Sequence, residues 1–558
     1  MEGATAAERD DAEPSDPRAV AVVVALAAGI PYASSLSYGF ALDDTFAVVG
    51  HRGVHGPLSA MDLVLRDFWG RSFMDTIGSW RPVTTATYWI DWHVGAGRPW
   101  VFHATNVALY AALLVVCERF LTRFFGAALS ARARCTAVGV FGLLAIHADV
   151  VPSIVGRAEI LAGLFALLAI LLPLRREGPM RLVEALVAAV ASLLAMGSKE
   201  SALPIALLAP VLAFRWHANR GTARGRGVFV LFALHAALLA GVVAFRLLRM
   251  PWMAPGPERA TENPLIAVDV PARLLGAGAV FVHYLVHLVC PWRLAPDYSY
   301  AALDVLHETV LGALGIAVAL GAAATVGARW RRAPGLTDAT LALGASYVVV
   351  SHVFLPAVAV MADRLFFFPS FWVVVIATLA LKPAAAHAPR AAGLLVVAFA
   401  VAQSIVAARD AAPWHDDTTL LTQAVDAQPS VARSRRNLAQ ALAEAGRPQE
   451  AAWQLVASMA ILARYPGPVP RSEFRSLDLL PPSSRIDALM EHIGACGLRS
   501  RLTEARAAFG RWGMPDAQAQ VDVWLVQKGA NQADAHQDAH QGQGVTTPSF
   551  PHICPEGR

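Results

Sequence analysis

Apolar residues fill long uninterrupted blocks from Ala19 to about Ala408, and polar residues gather in the stretches between them. The blocks run roughly 19–40, 101–117, 135–151, 155–174, 182–197, 201–214, 228–246, 307–328, 338–360, 365–381 and 391–408. Each is near the roughly 20 residues a helix needs to cross hydrocarbon, where every backbone group must be bonded inside its own segment. The pattern therefore predicts an all-α polytopic membrane bundle of about eleven spans. The first block, from Ala19, is too long and continuous for a cleaved signal peptide and reads as a retained span behind a polar tail at 1–18. Segment 272–292 is also apolar, but it ends in Cys290-Pro291-Trp292 and carries His283 and His287. It reads as a re-entrant or interfacial hairpin. Residues 41–99 form a long polar loop whose Trp69, Trp80, Trp89 and Trp92 suit the membrane interface.

Composition agrees: 56% of the 558 residues are hydrophobic and 16% charged, against roughly 25% charged in soluble domains. An ordinary soluble enzyme and a disordered chain are both excluded. Basic clusters at Arg119/Arg123/Arg132/Arg134, Arg175/Arg176/Arg181, Arg215/Arg220/Arg224/Arg226, Arg329/Arg331/Arg332 and Lys382/Arg390 fix the expected orientation, because basic loops stay cytoplasmic. They place the N-terminus inside and the C-terminus outside, provided 247–306 adds an even number of crossings. The formal charge of +4 comes from arginine rather than lysine and implies no nucleic-acid partner. The five cysteines are scattered and show neither metal spacing nor a disulfide framework.

The transmembrane region spans 19–409, and from Asp410 the apolar blocks stop. Leu421, Ala424 and Pro429 are followed by Leu438, Ala439, Leu442, Gly446, Ala451 and Leu455. This is the small/large spacing of a tetratricopeptide repeat, a helix pair of about 34 residues. A helical-repeat domain is expected over 410–528, with Asn437, Leu438 and Leu442 as groove residues for a protein partner. The Gln-, Ala- and His-rich tail 529–558 reads as solvated and disordered, including His536, His540, His552 and Cys554.

Ionisable residues at membrane depth are costly, so their positions are informative. On this topology they gather at the non-cytoplasmic ends of the spans: Asp43, Asp44, His103, His147, Asp149, Arg157, Glu159, Lys199, Glu200, Asp297, Asp363 and Arg364. A mixed-sign set on one face suits an anionic, lipid-borne substrate. One carboxylate of Asp43-Asp44 is a candidate general base for a hydroxyl acceptor; a helix-capping aspartate is the competing assignment. Arg81 and Arg157 offer guanidinium forks for phosphate. His103 and Asn106 share a helix face and suit a phosphate or sugar, or else a backbone carbonyl. No cluster has the spacing of a metal site.

These residues lie in an ordered set of motifs: LDDTFAVV (42–49), LRDFWG (65–70), SWRPVTTATYWID (79–91), FHATNVALYA (102–111), VGRAEILAGLFALLA (155–169), SKES (198–201), PWRLAPDYSY (291–300) and ADRLFFFPS (362–370). PWHDDTTLLTQAVDAQP and a repeat follow. Over roughly 20–460 the chain resembles the transmembrane and tetratricopeptide-repeat O-mannosyltransferases, membrane glycosyltransferases of the C superfamily. The resemblance implies transfer of a mannose-like sugar from a polyprenyl-phosphate carrier to a Ser or Thr hydroxyl of a protein on the non-cytoplasmic face. It implies Asp43 as catalytic acid/base with Asp44 beside it. Arg81, Arg157, Lys199 and Arg364 are then candidates for the carrier phosphate, and Glu159, Glu200 and Asp363 for orienting them or the acceptor. The repeats would bind the acceptor protein. Family members usually carry many repeats, whereas this chain shows about one and a half to two.

The Arg- and Ala-heavy composition points to a bacterial chain using a bacterial polyprenol in the inner membrane; a eukaryotic counterpart would occupy the endoplasmic reticulum. A single displacement at the anomeric carbon inverts its configuration and needs no metal or other cofactor. Two other readings compete: a non-catalytic scaffold whose repeats dock partners, and a transporter, which would favour polar or broken helices at mid-membrane and inverted repeats.

Overall fold

The computed structural model describes residues 17–462 and 465, apart from 58, 74–75, 77, 175–177, 224, 250–258, 293 and 331–334. Among these, regular structure is helical, with one isolated bridge between Arg66 and Ser72. The helices are α1 (Pro17–Gly29), α2 (Arg52–His55), α3 (Ala60–Val64), α4 (Pro82–Gly95), α5 (Pro99–Phe125), α6 (Ala131–Leu143), α7 (Arg157–Leu171), α8 (Leu182–Ser198), α9 (Ile205–Ala218), α10 (Arg226–Arg249), α11 (Val270–Val289), α12 (Thr309–Arg329), α13 (Leu336–Tyr347), α14 (Phe367–His387), α15 (Pro389–Ala411), α16 (Asp417–Ala427), α17 (Ala432–Glu444) and α18 (Pro448–Leu462).

Among the described residues, 8 helices are long and apolar enough to cross a membrane, and three shorter apolar helices at Val22–Ser37, Leu182–Ser198 and Leu336–Val350 accompany them. Length and apolarity thus make the chain an all-α integral membrane protein. Outward faces stay apolar, as at Leu394, Leu395 and Val401 on α15. Inside, Phe120, Phe124, Phe141, Phe371 and Trp372 interlock edge to face or stacked.

Four expected elements differ. Block 19–40 is α-helical only to Gly29 and continues as a 3-10 helix, Ile30–Ser37, and block 338–360 is helical only through α13 and a 3-10 turn, Val348–Val350. Block 135–151 is not one helix: α6 ends at Leu143 and a 3-10 turn, Ala145–Asp149, follows. The backbone groups freed at the break find partners on other helices. Tyr110 Oη donates to Gly142 O at 2.7 Å, and Gln403 Oε1 accepts from Ala145 N at 2.8 Å. Such replacement is what an interrupted helix needs at membrane depth.

Segment 272–292 is not a hairpin but one 20-residue helix, α11, capped by the Asp269 side chain on Ala272 N and stopped at Cys290 before Pro291. Its flanks nevertheless meet. Tyr300 N donates to Thr261 O at 3.3 Å, and Arg433 pairs with both Glu262 and Asp297. α11 lies against α12 backbone to backbone: a Cβ on Gly278 would stand 2.3 Å from Gly312 O, and one on Gly315 2.1 Å from Gly278 O.

The long loop folds over its own small core of Ala47, Val48, Val54, Phe68, Tyr88, Phe102 and Ile154. After the 3-10 turn Ala412–His415, α16 precedes the helix pair α17 and α18, as the repeat spacing predicts. The remainder of the expected repeat domain to 528, and the tail with His536, His540, His552 and Cys554, lie outside the described residues.

Candidate active site

The Asp43-Asp44 turn follows the first apolar helix and its 3-10 continuation, Ile30–Ser37, and opens a short π-helical turn, Thr45–Val49. Leu42 before it sits in the left-handed region at φ 54°, which costs a non-glycine residue about 1–2 kcal/mol and must be held from outside. Three ties hold the turn. Asp44, 1% exposed, accepts from Val155 N at 2.9 Å and from Ala41 N at 3.3 Å. Gly39 N donates to His415 O at 3.1 Å. Asp417 Oδ1 accepts from Leu42 N. Burial pushes the Asp44 carboxyl up to about 7, against the two backbone N–H groups and with help from the adjacent Asp43 charge.

Asp43 differs from its neighbour. It is half-buried, and its carboxylate makes no hydrogen bond or ion pair among the described residues. Arg364 lies close enough to act on it electrostatically, as it does on Asp149 and Asp297. Arg364 NH1 bonds Asp149 Oδ2 at 3.2 Å and Pro296 O at 2.7 Å, with its side chain 24% exposed. Next in the chain, Asp363 is buried and accepts from His287 Nδ1 and Tyr298 Oη, both at 2.9 Å. Asp43, Asp149, Arg364, Asp297 and Asp363 thus converge where the long polar loop, the turn after α6, the segment after α11 and the start of α14 meet.

Other nominated residues divide differently. Arg81 bonds Glu200 at 3.0 Å and lies over the Phe68 ring at 4.5 Å; Glu200 also accepts from Trp80 N at 2.6 Å. This pair pins the long polar loop to the segment that joins α8 and α9. Lys199 and Glu159 form a buried ion pair, and Glu159 lines an open groove together with Ala162, Ser346, Leu365 and Phe368. Arg157 is fully buried and surrounded by protein: Asn106 Oδ1 at 2.7 Å, Phe102 O at 2.9 Å, Thr87 Oγ1 at 3.2 Å and Asp91 at 2.5 Å. Its fork fastens α4, α5 and α7 together rather than opening to a ligand. Asn106 also donates to Ser153 O at 2.7 Å, fixing the loop that presents Val155 N to Asp44. His103 is buried against Gly39 O at 3.1 Å, the backbone role weighed for it from sequence. In the helical pair, Leu438 and Leu442 are buried in the packing, while Asn437 stays partly open.

Sequence reasoning missed His287, Tyr298, Asp417 and Arg433. The two histidines noted in 272–292 were the available signal for the first, and the acidic doublet in PWHDD for the third. Arg433 binds Asp297 through both arms, at 2.9 and 2.8 Å, bringing the C-terminal helices to the edge of the site.

No protein-family model and no solved structure matches this chain. Curated proteins do. A protein O-mannosyl-transferase of Caenorhabditis elegans is 25% identical over 441 residues, covering 76% of this chain and 60% of its own length. The protein O-mannosyl-transferase TMTC4 of Mus musculus is 24% identical over 486 residues, covering 76% of this chain and 64% of its own. Over a shorter stretch of 150 residues, 26% of this chain and 15% of the relative, the protein O-mannosyl-transferase Tmtc2 of Drosophila melanogaster is 33% identical. The chain spans about 60% of the length of the first of these relatives. The resemblance carried by the motif order is borne out: over 76% of its length the chain is similar to the transmembrane, tetratricopeptide-containing protein O-mannosyl-transferases.

Proposed function

We propose that the chain is a membrane glycosyltransferase that moves a mannose-like sugar from a polyprenyl-phosphate carrier to a Ser or Thr hydroxyl of a protein on the non-cytoplasmic face. The observation that carries this reading is Asp43, a half-buried carboxylate without a partner, within electrostatic reach of a partly open arginine, Arg364. The relatives' names supply the reaction class.

In the reaction Asp43 takes the proton as the acceptor oxygen attacks the anomeric carbon. The bond to the carrier phosphate breaks on the opposite side, so one displacement inverts the centre. Arg364 meets the charge developing on the leaving phosphate, and its bonds to Asp149 and Pro296 O keep it from reorganising as that charge appears. Asp44 holds the turn and does not reach the substrate. The groove beside Glu159 offers an apolar path for the first isoprene units. The carrier phosphate is assigned to cationic side chains, Arg364 first among them.

The test is transfer of radiolabelled mannose from polyprenyl-phosphate-mannose to a Ser/Thr peptide by the purified protein in lipid nanodiscs. Transfer by the wild type and its loss in Asp43→Asn, with unchanged thermal stability, are expected. A fully active Asp43→Asn would refute Asp43 as the base; an inactive wild type with binding of partners alone would favour a scaffold.

A further inference from the structure

The turn that carries Asp43 is finished by the C-terminal helical region, not by the membrane bundle alone. Leu42 needs its left-handed conformation to aim Asp43 and bury Asp44, and the amide of that residue is taken by Asp417, the first residue of α16. The neighbouring Gly39 amide goes to His415 O, just upstream. Tyr38, Ala41 and Leu42 pack with Trp414 and Leu420 in one apolar cluster that joins the two regions. Asp417 itself is half-buried, and burial raises its carboxyl above the ordinary range.

Nothing in α16 requires this side chain. The helix already has a cap in Asp416, which accepts from Thr419 N at 2.8 Å. Two adjacent aspartates thus serve different partners: Asp416 the helix, and Asp417 a backbone amide 375 residues away. We infer that Asp417 is a positioning residue for the catalytic base, holding Leu42 so that Asp43 points at the acceptor; the inference rests on the reading of Asp43 given above. The start of the helical region is then part of the reaction centre as well as a support for protein binding.

Three variants of the full chain in nanodiscs test it, each in the mannose-transfer assay and by hydrogen exchange of the peptide containing Leu42. Asp417→Ala is expected to lower kcat about 100-fold with the donor KM unchanged, since an ångström of misplacement has effects of that size, and to speed exchange at Leu42. Asp417→Asn keeps an acceptor for the amide and is expected to retain kcat within about threefold of wild type. Asp416→Ala removes the cap and the contact with the His415 ring but leaves the acceptor of the Leu42 amide in place, and is expected to keep kcat and Leu42 exchange near wild type. Wild-type kcat in Asp417→Ala, or an equal loss in Asp416→Ala, overturns the inference. If the wild type transfers no sugar, the function fails instead, and unchanged Leu42 exchange in Asp417→Ala still overturns the positioning contact.

Discussion

Arg433 ties the helical region to the bundle, and its worth can be worked from the geometry. Its guanidinium is bidentate on Asp297, at 2.9 and 2.8 Å, with Glu262 at 3.4 Å, and the side chains of Arg433 and Asp297 are 23% and 10% exposed. Charge centres about 4 Å apart attract by about 4 kcal/mol at an effective dielectric of 20. Discounting for partial exposure and side-chain ordering leaves about 2 kcal/mol. The perturbation is a double-mutant cycle of Arg433→Met and Asp297→Asn, chosen to keep volume while removing charge. The assay is the rate of proteolysis at the 412–416 junction under conditions where cleavage follows the equilibrium population of the opened form. A coupling of about 2 kcal/mol corresponds to about 30-fold in that population. Arg433→Met is expected to do more damage than Asp297→Asn, because it takes a shared partner from two carboxylates, leaving Arg259 to Glu262 and the Arg364 charge to Asp297, while the other variant keeps Glu262 as a partner. Additive effects, or a coupling below about 0.5 kcal/mol, would show the pair to be an ordinary exposed salt bridge.

Three further outcomes follow from the same contacts. Asp44 titrates near 7 in the folded chain and near 3.8 when unfolded, so the folded state holds the proton more tightly; its contribution is present below about pH 4 and lost as pH rises to 7, on the order of 4 kcal/mol. Equilibrium unfolding across that range should show this fall and Asp44→Asn should lack it; a parallel profile would refute the raised value. Gly156→Ala would place a methyl 2.0 Å from Val150 O and push the loop that presents Val155 N away from Asp44, with about 1–3 kcal/mol lost in thermal unfolding and a larger proportional loss of transfer. Unchanged melting and activity would contradict the close approach. Lys199→Met is expected to cost about 3–5 kcal/mol by leaving Glu159 buried alone, and adding Glu159→Leu to recover most of it; no recovery in the double variant would mean that packing rather than charge holds the site.

Much of the bundle is legible in the sequence because lipid demands unbroken apolar length, a property of each block taken alone. The break after α6 is not legible, since it depends on Tyr110 and Gln403 arriving from other helices to bond the freed carbonyl and amide. The same division holds at the site. The clustering of charge at one end of the spans marks Asp43, Asp44, Asp363 and Arg364 correctly as neighbours of one locality. It cannot separate a fork aimed at phosphate from one aimed at protein, and Arg157 is of the second kind. Nor does local pattern reveal that Asp417 completes a turn so distant in the chain.

Satisfaction of hydrogen bonds makes that separation physically. A buried ion pair such as Lys199–Glu159, or a fully engaged Arg157, has already spent its donors on neighbours, and withdrawing them for a substrate would strand a charge at a cost of several kcal/mol. Such groups fix geometry. A group that changes its bonding during turnover must begin with capacity to spare. Among the nominated carboxylates Asp43 has that capacity outright, and among the cations Arg364 keeps an open side. The two also interact electrostatically, so in the mechanism proposed above protonation of Asp43 would release Arg364 from one of its three carboxylates as the leaving phosphate gains charge. On the proposed mechanism, replacing Asp43 by Asn should remove the proton acceptor while leaving Arg364 already free of that carboxylate, so transfer should fail with binding of the carrier phosphate retained.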